Sequence, residues 1–320
     1  MDTVSVGFFT GHRSPEVRKY YMNLTPGGTG RYGRFQFSIN EWRKDYDYVV
    51  VFERIDEDLS VSIDKDRLIF IAGEASSIKT YNSQFLAQFG HVITCQNQIV
   101  HQSKHLRSPG HTWFSQKTYD ELMQTSKVDK TRLLSIVCSN KCMTRGHRDR
   151  FKFCKMLKEA LGEKADLYGR GFNEFDDKWD VIAPYKYSIA IENAIEDHWI
   201  TEKLGDCYTS HTFPFYMGAP NVDQYYDHRS YASIDIRDFE ESLKIIKTII
   251  EDPCHYERHA EYLSQAKYHY LNKHSVIPMI SDFIKDCLFG SVNKDMTIVS
   301  TISPEDNGVL NKLKRRFTKV

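Results

Sequence analysis

Short apolar segments alternate with segments of helical period along most of this chain, and that alternation limits the fold more than any other feature. Buried parallel strands read as nearly continuous apolar runs, whereas helices repeat apolar residues every three or four positions. The strand candidates are residues 4–9, 48–52, 68–72, 91–95, 133–138, 165–168, 188–191 and 213–216. The clearest helical spacing lies within residues 151–161, 239–250, 256–271 and 277–288. This pattern predicts an α/β fold with parallel sheets.

The polar stretch at residues 125–131 separates two such α/β groups. A chain of 320 residues is long enough for two lobes of ordinary domain size. We therefore predict a Rossmann-like lobe over residues 1–125, a second over 126–290, and a tail over 291–320. Ligands of open α/β sheets bind outside the carboxyl ends of the strands, so the cleft between the lobes is the expected site.

Charge and cysteine content exclude several classes of protein. Lys and Arg number 43, and so do Asp and Glu, so no overall field attracts nucleic acid and any anion site must be local. The seven cysteines are scattered, which indicates neither a disulfide framework nor a structural zinc site. Since no signal peptide or membrane span is apparent, a cytoplasmic protein is expected.

The end of the chain leaves two interpretations open. Residues 310–320 carry five cations among spaced apolar residues. Such a tail could rest on an anionic membrane surface, which would make the protein peripheral to the cytoplasmic membrane face, or it could be a solvated terminus.

One segment carries the most specific chemistry. A predicted strand ends in Glu192-Asn193, and after a short loop Thr201-Glu202-Lys203 begins a helical stretch. The N-terminus of a helix suits a phosphate, Lys203 adds a positive charge, and Glu202 can accept hydrogen bonds from sugar hydroxyls. On composition alone, ordinary first-turn charges on a solvated helix would be the favoured explanation.

This segment resembles the donor-binding motif of glycosyltransferase family 10, the α-1,3/4-fucosyltransferases, and especially its bacterial members. The shared pattern is the Tyr-Lys-Tyr approach at 185–187, the Ile-Glu-Asn strand end at 191–193, an aromatic residue, and Thr-Glu-Lys at 201–203. Residues 210–220 also resemble the strand and Gly-x-Pro turn that follow in the family. Trp199 stands where bacterial members tend to carry Tyr, so a contact from a phenol hydroxyl would be lost although stacking could persist.

Two further segments resemble the family in order and spacing. The strand at 133–140 resembles the one that opens the second lobe, and the resemblance assigns Arg148, at the start of the next helix, to the diphosphate. A guanidinium there is physically sensible, but the residues alone do not choose among Arg145, Arg148 and Arg150. Gly169 and Gly171 resemble the family's glycine turn, where absent side chains let the backbone approach the nucleotide.

The first lobe offers a carboxylate at a strand end. Residues 67–74 read as a buried strand that ends in Gly-Glu, so Glu74 would point toward the expected site. The resemblance assigns the general base to Glu74, whereas a solvated strand-end Glu is the alternative. The family's usual Ser-Pro is replaced by Ala-Ser-Ser at 75–77, so the local loop and the acceptor contacts are expected to differ from those of the family.

Three other patterns carry little weight. Residues 28–33 spell G-x-G-x-x-G without a preceding strand, and the Asp-Tyr-Asp at 45–47 precedes a strand instead of following one. His101, His105 and His111 show no clear metal-binding spacing.

The resemblance therefore implies a GT-B fold with a general base in the first lobe and a sugar-nucleotide site in the second. It implies inverting transfer of fucose from GDP-fucose to a GlcNAc or glucose unit of a glycan such as lipopolysaccharide, with no metal or other cofactor. Glu74 is expected to face Arg148 and Lys203 across the cleft. A related transferase for another GDP-deoxysugar and a non-catalytic glycan- or nucleotide-binding protein of the same fold are the alternatives.

Overall fold

The computed structural model describes residues 3–11, 14–140, 145–286 and 295–298. The chain forms two compact units, one comprising Met1–Pro109 with Ile280–Val320 and the other Gly110–Met279. Each unit is built around its own parallel sheet.

Most strands of the first unit lie before residue 110. Its elements up to residue 109 are β1 (Val4–Thr10), α1 (Pro15–Met22), β2 (Arg31–Tyr32), β3 (Phe35–Ile39), β4 (Tyr48–Phe52), β5 (Leu59–Ser62), β6 (Leu68–Ala72), α2 (Ser83–Leu86), β7 (His91–Thr94) and β8 (Lys104–Leu106). Within the described residues, seven of these strands form a sheet in the order β2-β3-β1-β4-β6-β7-β8. Only the short β2 is antiparallel to its neighbour there. Every residue of β6 is buried, as expected for a central strand covered on both faces.

The second unit carries a smaller sheet and most of the long helices. Its elements are α3 (Tyr119–Gln124), β9 (Arg132–Val137), α4 (Arg145–Leu161), β10 (Ala165–Tyr168), α5 (Lys178–Ile182), β11 (Tyr185–Ile191), α6 (Glu202–Thr209), β12 (Phe213–Met217), β13 (Ala232–Ser233), α7 (Phe239–Glu251) and α8 (His255–His269). A π-helical turn at Tyr270–His274 follows α8. Five strands, counted over the described part of the chain, pair in the order β10-β9-β11-β12-β13, and all are parallel. The predicted α/β class with parallel sheets is confirmed.

The chain then returns to the first unit. Helix α9 (Val276–Asp286) contains the point where the units divide, and β14 (Asp295–Ile298) pairs antiparallel with β5. Phe283 of α9 packs edge-on against His105, with ring centroids 4.8 Å apart. These contacts belong to the first unit, although the sequence pattern assigns α9 to the second lobe.

The compact units therefore differ from the predicted boundaries of 125 and 290. Residues 110–125 belong to the second unit because their side chains pair there: the Tyr119 hydroxyl donates to Asn272 Oδ1 at 2.7 Å. The predicted tail at 291–320 is described only at β14, so its basic end at 310–320 lies outside the described residues.

Candidate functional site

The carboxyl ends of β9 and β11 lie side by side in the second unit, because these strands are parallel neighbours in register. A cavity of about 230 Å³ opens at this edge. Its charged and amide-bearing lining comprises Arg150, Lys178, Asn193, Glu202 and Lys203, together with His147. Of the predicted donor-binding residues, Asn193, Glu202 and Lys203 are thus brought together.

Glu192 stabilises the start of α6. Its side chain is 0% exposed and accepts hydrogen bonds from the Thr201 N–H at 2.8 Å and the Thr201 hydroxyl at 2.7 Å. The same carboxylate receives the Lys203 ammonium at 3.1 Å. Since these donors occupy the buried carboxylate, Glu192 sets the position of Lys203 and of the helix N-terminus.

The charges of Glu202 and Lys203 are fixed by their neighbours. Burial alone would raise the pKa of Glu202, but the surrounding cations, led by Lys203 and Lys178, lower it well below its usual range. Burial would lower the pKa of Lys203, yet the carboxylates of Glu192 and Glu202 raise it. Both groups are therefore ionised at neutral pH.

Lys178 is a cation that the sequence patterns did not single out. It lies at the start of α5 with its ammonium 2.6 Å from Asp206 Oδ2, and both side chains are largely buried. Burial opposes its charge, but Asp206 and Glu202 raise the pKa of Lys178 above its usual value. A first-turn Lys after an Asp cap gives no signal in the sequence that distinguishes it from a surface charge.

The three arginines of α4 have different surroundings. Arg150 is buried, lines the cavity, and donates from Nη1 to Asn193 Oδ1, while its Nε has no hydrogen-bond partner among the described residues. Arg148 is exposed and is not part of the cavity lining. Arg145 is 90% exposed and pairs with Asp149 at 3.5 Å. A buried N–H without an acceptor is costly, so the Arg150 guanidinium is a ready donor for an anionic ligand.

Trp199 is buried in the loop between β11 and α6. Its indole N–H also has no acceptor in the part of the chain that the structure describes. The ring meets His111 edge-on, with centroids 5.1 Å apart.

Gly169 and Gly171 are required by the backbone itself. Both have positive φ angles, 126° and 85°. A Cβ at Gly169 would stand 2.0 Å from the Cys138 carbonyl oxygen, and one at Gly171 would stand 2.9 Å from Asn140 Nδ2. The turn after β10 therefore packs tightly against the segment after β9, which explains both glycines without reference to a ligand.

In the first unit, Glu74 follows β6 and is half-buried. Its backbone is held on both sides: the N–H donates to the Tyr81 hydroxyl at 3.1 Å, and the carbonyl accepts from Gln96 Nε2 at 2.8 Å. The network around it includes Glu53, which the sequence patterns did not identify although it too follows a strand.

The weakly supported patterns have structural explanations. Asp47 accepts hydrogen bonds from the Ser5 N–H and hydroxyl at 2.7 and 2.8 Å. His105 shares a hydrogen bond with His91 at 3.1 Å, and His101 contacts the Phe89 carbonyl. Across the described ranges, no group of three or more His, Cys, Asp or Glu side chains is arranged to hold a metal ion. No helix within those ranges is both long and apolar enough to cross a membrane.

Comparisons with known proteins point to one family. The sequence model described as Glycosyltransferase family 10 (fucosyltransferase) C-term matches residues 127–298, more than half of the chain. The Alpha-(1,3)-fucosyltransferase FucT of Helicobacter pylori is 33% identical over 78 residues, which are 24% of this chain and only 16% of that relative's length.

Solved structures show the same architecture. A crystal structure of alpha1,3-fucosyltransferase with GDP matches with a TM-score of 0.55 and 16% identity, over 91% of this chain and 92% of that one. The structure of alpha1,3-fucosyltransferase with GDP-fucose also has a TM-score of 0.55 and 16% identity, over 92% and 93% of the two chains. At this identity the likeness bears on the fold, and it confirms the predicted GT-B class. The family match, with the motif at residues 185–203 inside it, shows that the chain belongs to glycosyltransferase family 10, the fucosyltransferase family.

Proposed function

We propose that this protein transfers L-fucose from GDP-fucose to a hydroxyl of a GlcNAc or glucose unit in a glycan, forming an α-1,3 linkage with inversion at the sugar carbon. Family membership supports fucose transfer, and the names of the relatives support the donor and the linkage. Lipopolysaccharide or another surface glycan is the proposed acceptor class, and the cytoplasm is the proposed location.

The cationic cavity of the second unit carries this proposal. Breaking the bond between fucose and GDP leaves negative charge on the diphosphate, which fixed cations and N–H groups must stabilise. The Arg150 guanidinium has an unpaired buried N–H at the cavity, and Lys203 is held there by Glu192 at the N-terminus of α6. These groups suit a diphosphate better than a neutral ligand.

The other residues have roles that follow from their surroundings. Ionised Glu202 accepts hydrogen bonds from ribose or sugar hydroxyls, and Asn193 shares the cavity wall with Arg150. Trp199 is the proposed aromatic contact of the donor, and its indole N–H has no acceptor among the described residues. Arg148 stays a second candidate for the diphosphate, and Gly169 and Gly171 keep the adjacent turn close to the nucleotide site.

Glu74 is the proposed general base. It accepts the proton of the acceptor hydroxyl while that oxygen attacks the fucose carbon from the side opposite GDP, so the configuration inverts. We expect Glu74→Gln to reduce kcat by about 10²–10⁴-fold, because this is the range that general-base help supplies. The dissociation constant of GDP, measured by calorimetry, should stay within about twofold of the wild-type value, since the amide occupies the same volume.

The reaction is proposed to need no metal ion, because side-chain cations take over neutralisation of the diphosphate. Turnover should therefore persist after exhaustive treatment with EDTA. Loss of activity on chelation, restored by Mg²⁺ or Mn²⁺, would contradict this part of the mechanism.

The decisive experiment is incubation with labelled GDP-fucose and a panel of oligosaccharides that end in GlcNAc or glucose, with the product linkage determined by NMR. Transfer to O3 is expected. Turnover confined to another GDP-deoxysugar would reassign the donor. Tight GDP binding without turnover on any pair, unaffected by Glu74→Gln, would indicate a non-catalytic binding protein.

A further inference from the structure

Three residues of the first unit surround the backbone of Glu74 with an unusual hydrogen-bond network. Glu53 follows β4, the strand beside β6, and its carboxylate accepts from the Gly73 N–H and the Tyr81 hydroxyl. The Lys79 ammonium donates to the other carboxylate oxygen at 2.8 Å. The Tyr81 hydroxyl in turn accepts from the Glu74 N–H at 3.1 Å. The network thus links Glu53 to both peptide N–H groups of the Gly73-Glu74 pair.

The backbone at Glu53 adopts a strained conformation while its side chain makes these contacts. Its φ angle is 69°, and the Arg54 N–H donates to the Phe52 carbonyl at 2.8 Å, which closes a tight turn of three residues. A γ-turn with a positive central φ is rare, and such a conformation costs about 1–3 kcal/mol in a residue other than glycine. Strain of this kind persists where the surrounding contacts require it, and here they direct the carboxylate at Gly73.

The loop after β6 is shaped to receive that carboxylate. A Cβ on Gly73 would lie 3.0 Å from Glu53 Oε1 and 2.9 Å from the Phe52 ring, so glycine is what permits the approach. Gln96 holds the far side of the same loop: its amide donates to the carbonyls of Glu74 and Lys79, each at 2.8 Å. The loop is therefore fixed by side chains that follow β4 and β7, the two strands on either side of β6.

The network is also largely shielded from water. The side chains of Lys79 and Glu53 are 13% and 20% exposed, and Tyr81 is buried. Burial raises the pKa of Tyr81 well above its usual range, and Glu53 adds to this, so the hydroxyl keeps its proton for donation. Lys79 donates to one oxygen of the Glu53 carboxylate, and the Gly73 N–H and the Tyr81 hydroxyl donate to the other. Glu53 therefore has little capacity left to act as a base itself.

We propose that Glu53 is a positioning residue that orients Glu74 through Gly73 and Tyr81, an inference that rests on the proposed role of Glu74 as general base. Displacement of a reacting group by about 1 Å can cost about 100-fold in rate. Removing the carboxylate of Glu53 or the hydroxyl of Tyr81 should therefore reduce kcat by about 10- to 100-fold. The KM for GDP-fucose and the affinity for GDP should not change.

Glu53→Gln and Tyr81→Phe test this in the full-length protein, with kcat normalised to the number of GDP-binding sites. Glu53→Gln places an amide against the Lys79 ammonium, and Tyr81→Phe keeps the ring that packs on Phe70. Matched controls are Tyr46→Phe, a buried hydroxyl bonded to the Glu41 carbonyl, and Glu41→Gln, which removes an ion pair with Arg18. Both controls should keep the wild-type kcat.

Two readouts separate positioning from loss of folded protein. Amide hydrogen exchange should accelerate at Gly73 in Glu53→Gln and at Glu74 in Tyr81→Phe, because these are the N–H groups whose acceptors are replaced, and at neither position in the controls. The acidic limb of the pH–rate profile should move to lower pH in Glu53→Gln, because the network around the Glu74 backbone loses a negative charge while Lys79 stays. It should not move in Tyr81→Phe, which changes no charge.

The outcomes are distinguishable from those for the proposed function. Wild-type turnover in Glu74→Gln would overturn the assignment of the base. An inactive Glu74→Gln together with unchanged kcat and exchange in Glu53→Gln and Tyr81→Phe would overturn only the positioning role. Loss of activity in Glu53→Gln as large as in Glu74→Gln, without faster exchange, would make Glu53 a base instead.

Discussion

Arg150 and Arg148 illustrate how two residues in the same helix differ in what they can bind. They stand about 200° apart around α4 at 3.6 residues per turn. The buried residues of this helix include His147, Arg150 and Phe153, so Arg150 lies on the buried face and Arg148 on the exposed one. The family resemblance points to Arg148, while the cavity lining includes Arg150.

Replacement of Arg150 by Met should raise the dissociation constant of GDP by about 10- to 100-fold. Hydrogen bonds to charged groups contribute about 1.5–3 kcal/mol, and each 1.4 kcal/mol is about tenfold in affinity. Arg150→Lys should recover only part of the loss, because an ammonium lacks the planar fork of the guanidinium. Isothermal titration with GDP measures both.

Arg145→Met is the matched control for this prediction, because Arg145 lies on the same helix but is 90% exposed. Its affinity for GDP should equal that of the wild type. If Arg148→Met weakens GDP binding and Arg150→Met does not, the diphosphate belongs to Arg148.

At the scale of single elements, the sequence predicts best the strands that are buried on both faces. The run of apolar residues at 68–72 corresponds to β6 without any shift, because each of its positions faces the core. By contrast, β3 alternates buried and half-buried positions and reads Phe-Gln-Phe-Ser-Ile, which is too short and too polar to stand out as a run. Weakly patterned elements of this kind are defined by their neighbours in the sheet.

The residues of the candidate site also differ in how well the sequence predicts them. Glu192, Asn193, Glu202 and Lys203 are predictable because they lie close together in the sequence at a strand end and a helix start. Glu53 and Lys178 are not predictable from the sequence, because their contacts are distant along the chain. Glu53 contacts Gly73 and Tyr81, which lie 20 and 28 positions away. Lys178 contacts Asp206, which lies 28 positions away. Only the pairing of neighbouring strands and helices brings those groups together.

The turn after β10 provides a prediction about stability. Gly169→Ala should lower the free energy of unfolding by at least about 2 kcal/mol, because its φ of 126° is strained for any other residue and the new methyl group would meet the Cys138 carbonyl at 2.0 Å. Denaturant titration at neutral pH measures the change.

Gly162 supplies the comparison, since its φ is also positive at 55° but nothing lies within 4 Å of a Cβ there. Gly162→Ala should therefore cost only the conformational term of about 1–2 kcal/mol. Equal losses in the two variants would mean that the close approach to Cys138 contributes nothing.

For the molecule as a whole, buried histidines make stability depend on pH. His211 is buried beside Lys267, with the Lys267 ammonium 3.0 Å from its Nε2. Burial, with this neighbouring cation, lowers the pKa of His211 to about 4, from 6.5 for the ordinary side chain. The unfolded chain thus binds a proton more readily than the folded one between these two values.

A depressed histidine pKa stabilises the fold fully above about pH 6.5, and the stabilisation is lost as the pH falls toward 4. One such proton changes the free energy of unfolding by at most about 1.4 kcal/mol per pH unit. His255, whose pKa burial also lowers to about 4, acts in the same direction.

Urea unfolding at several pH values between 7.5 and 4 should therefore show a falling free energy of unfolding, and His211→Asn should make that fall shallower. Asn suits the position because His211 has a φ of 54°, which Asn adopts more readily than most residues. His228→Asn is the matched control, because the His228 side chain is 81% exposed and water screens its contact with Asp227 at 3.6 Å, so its removal should change the slope little. If the free energy of unfolding of His211→Asn falls with pH as steeply as that of the wild type, His211 is not held neutral by burial. A histidine that binds a proton as easily in the folded protein as in the unfolded chain adds no pH dependence.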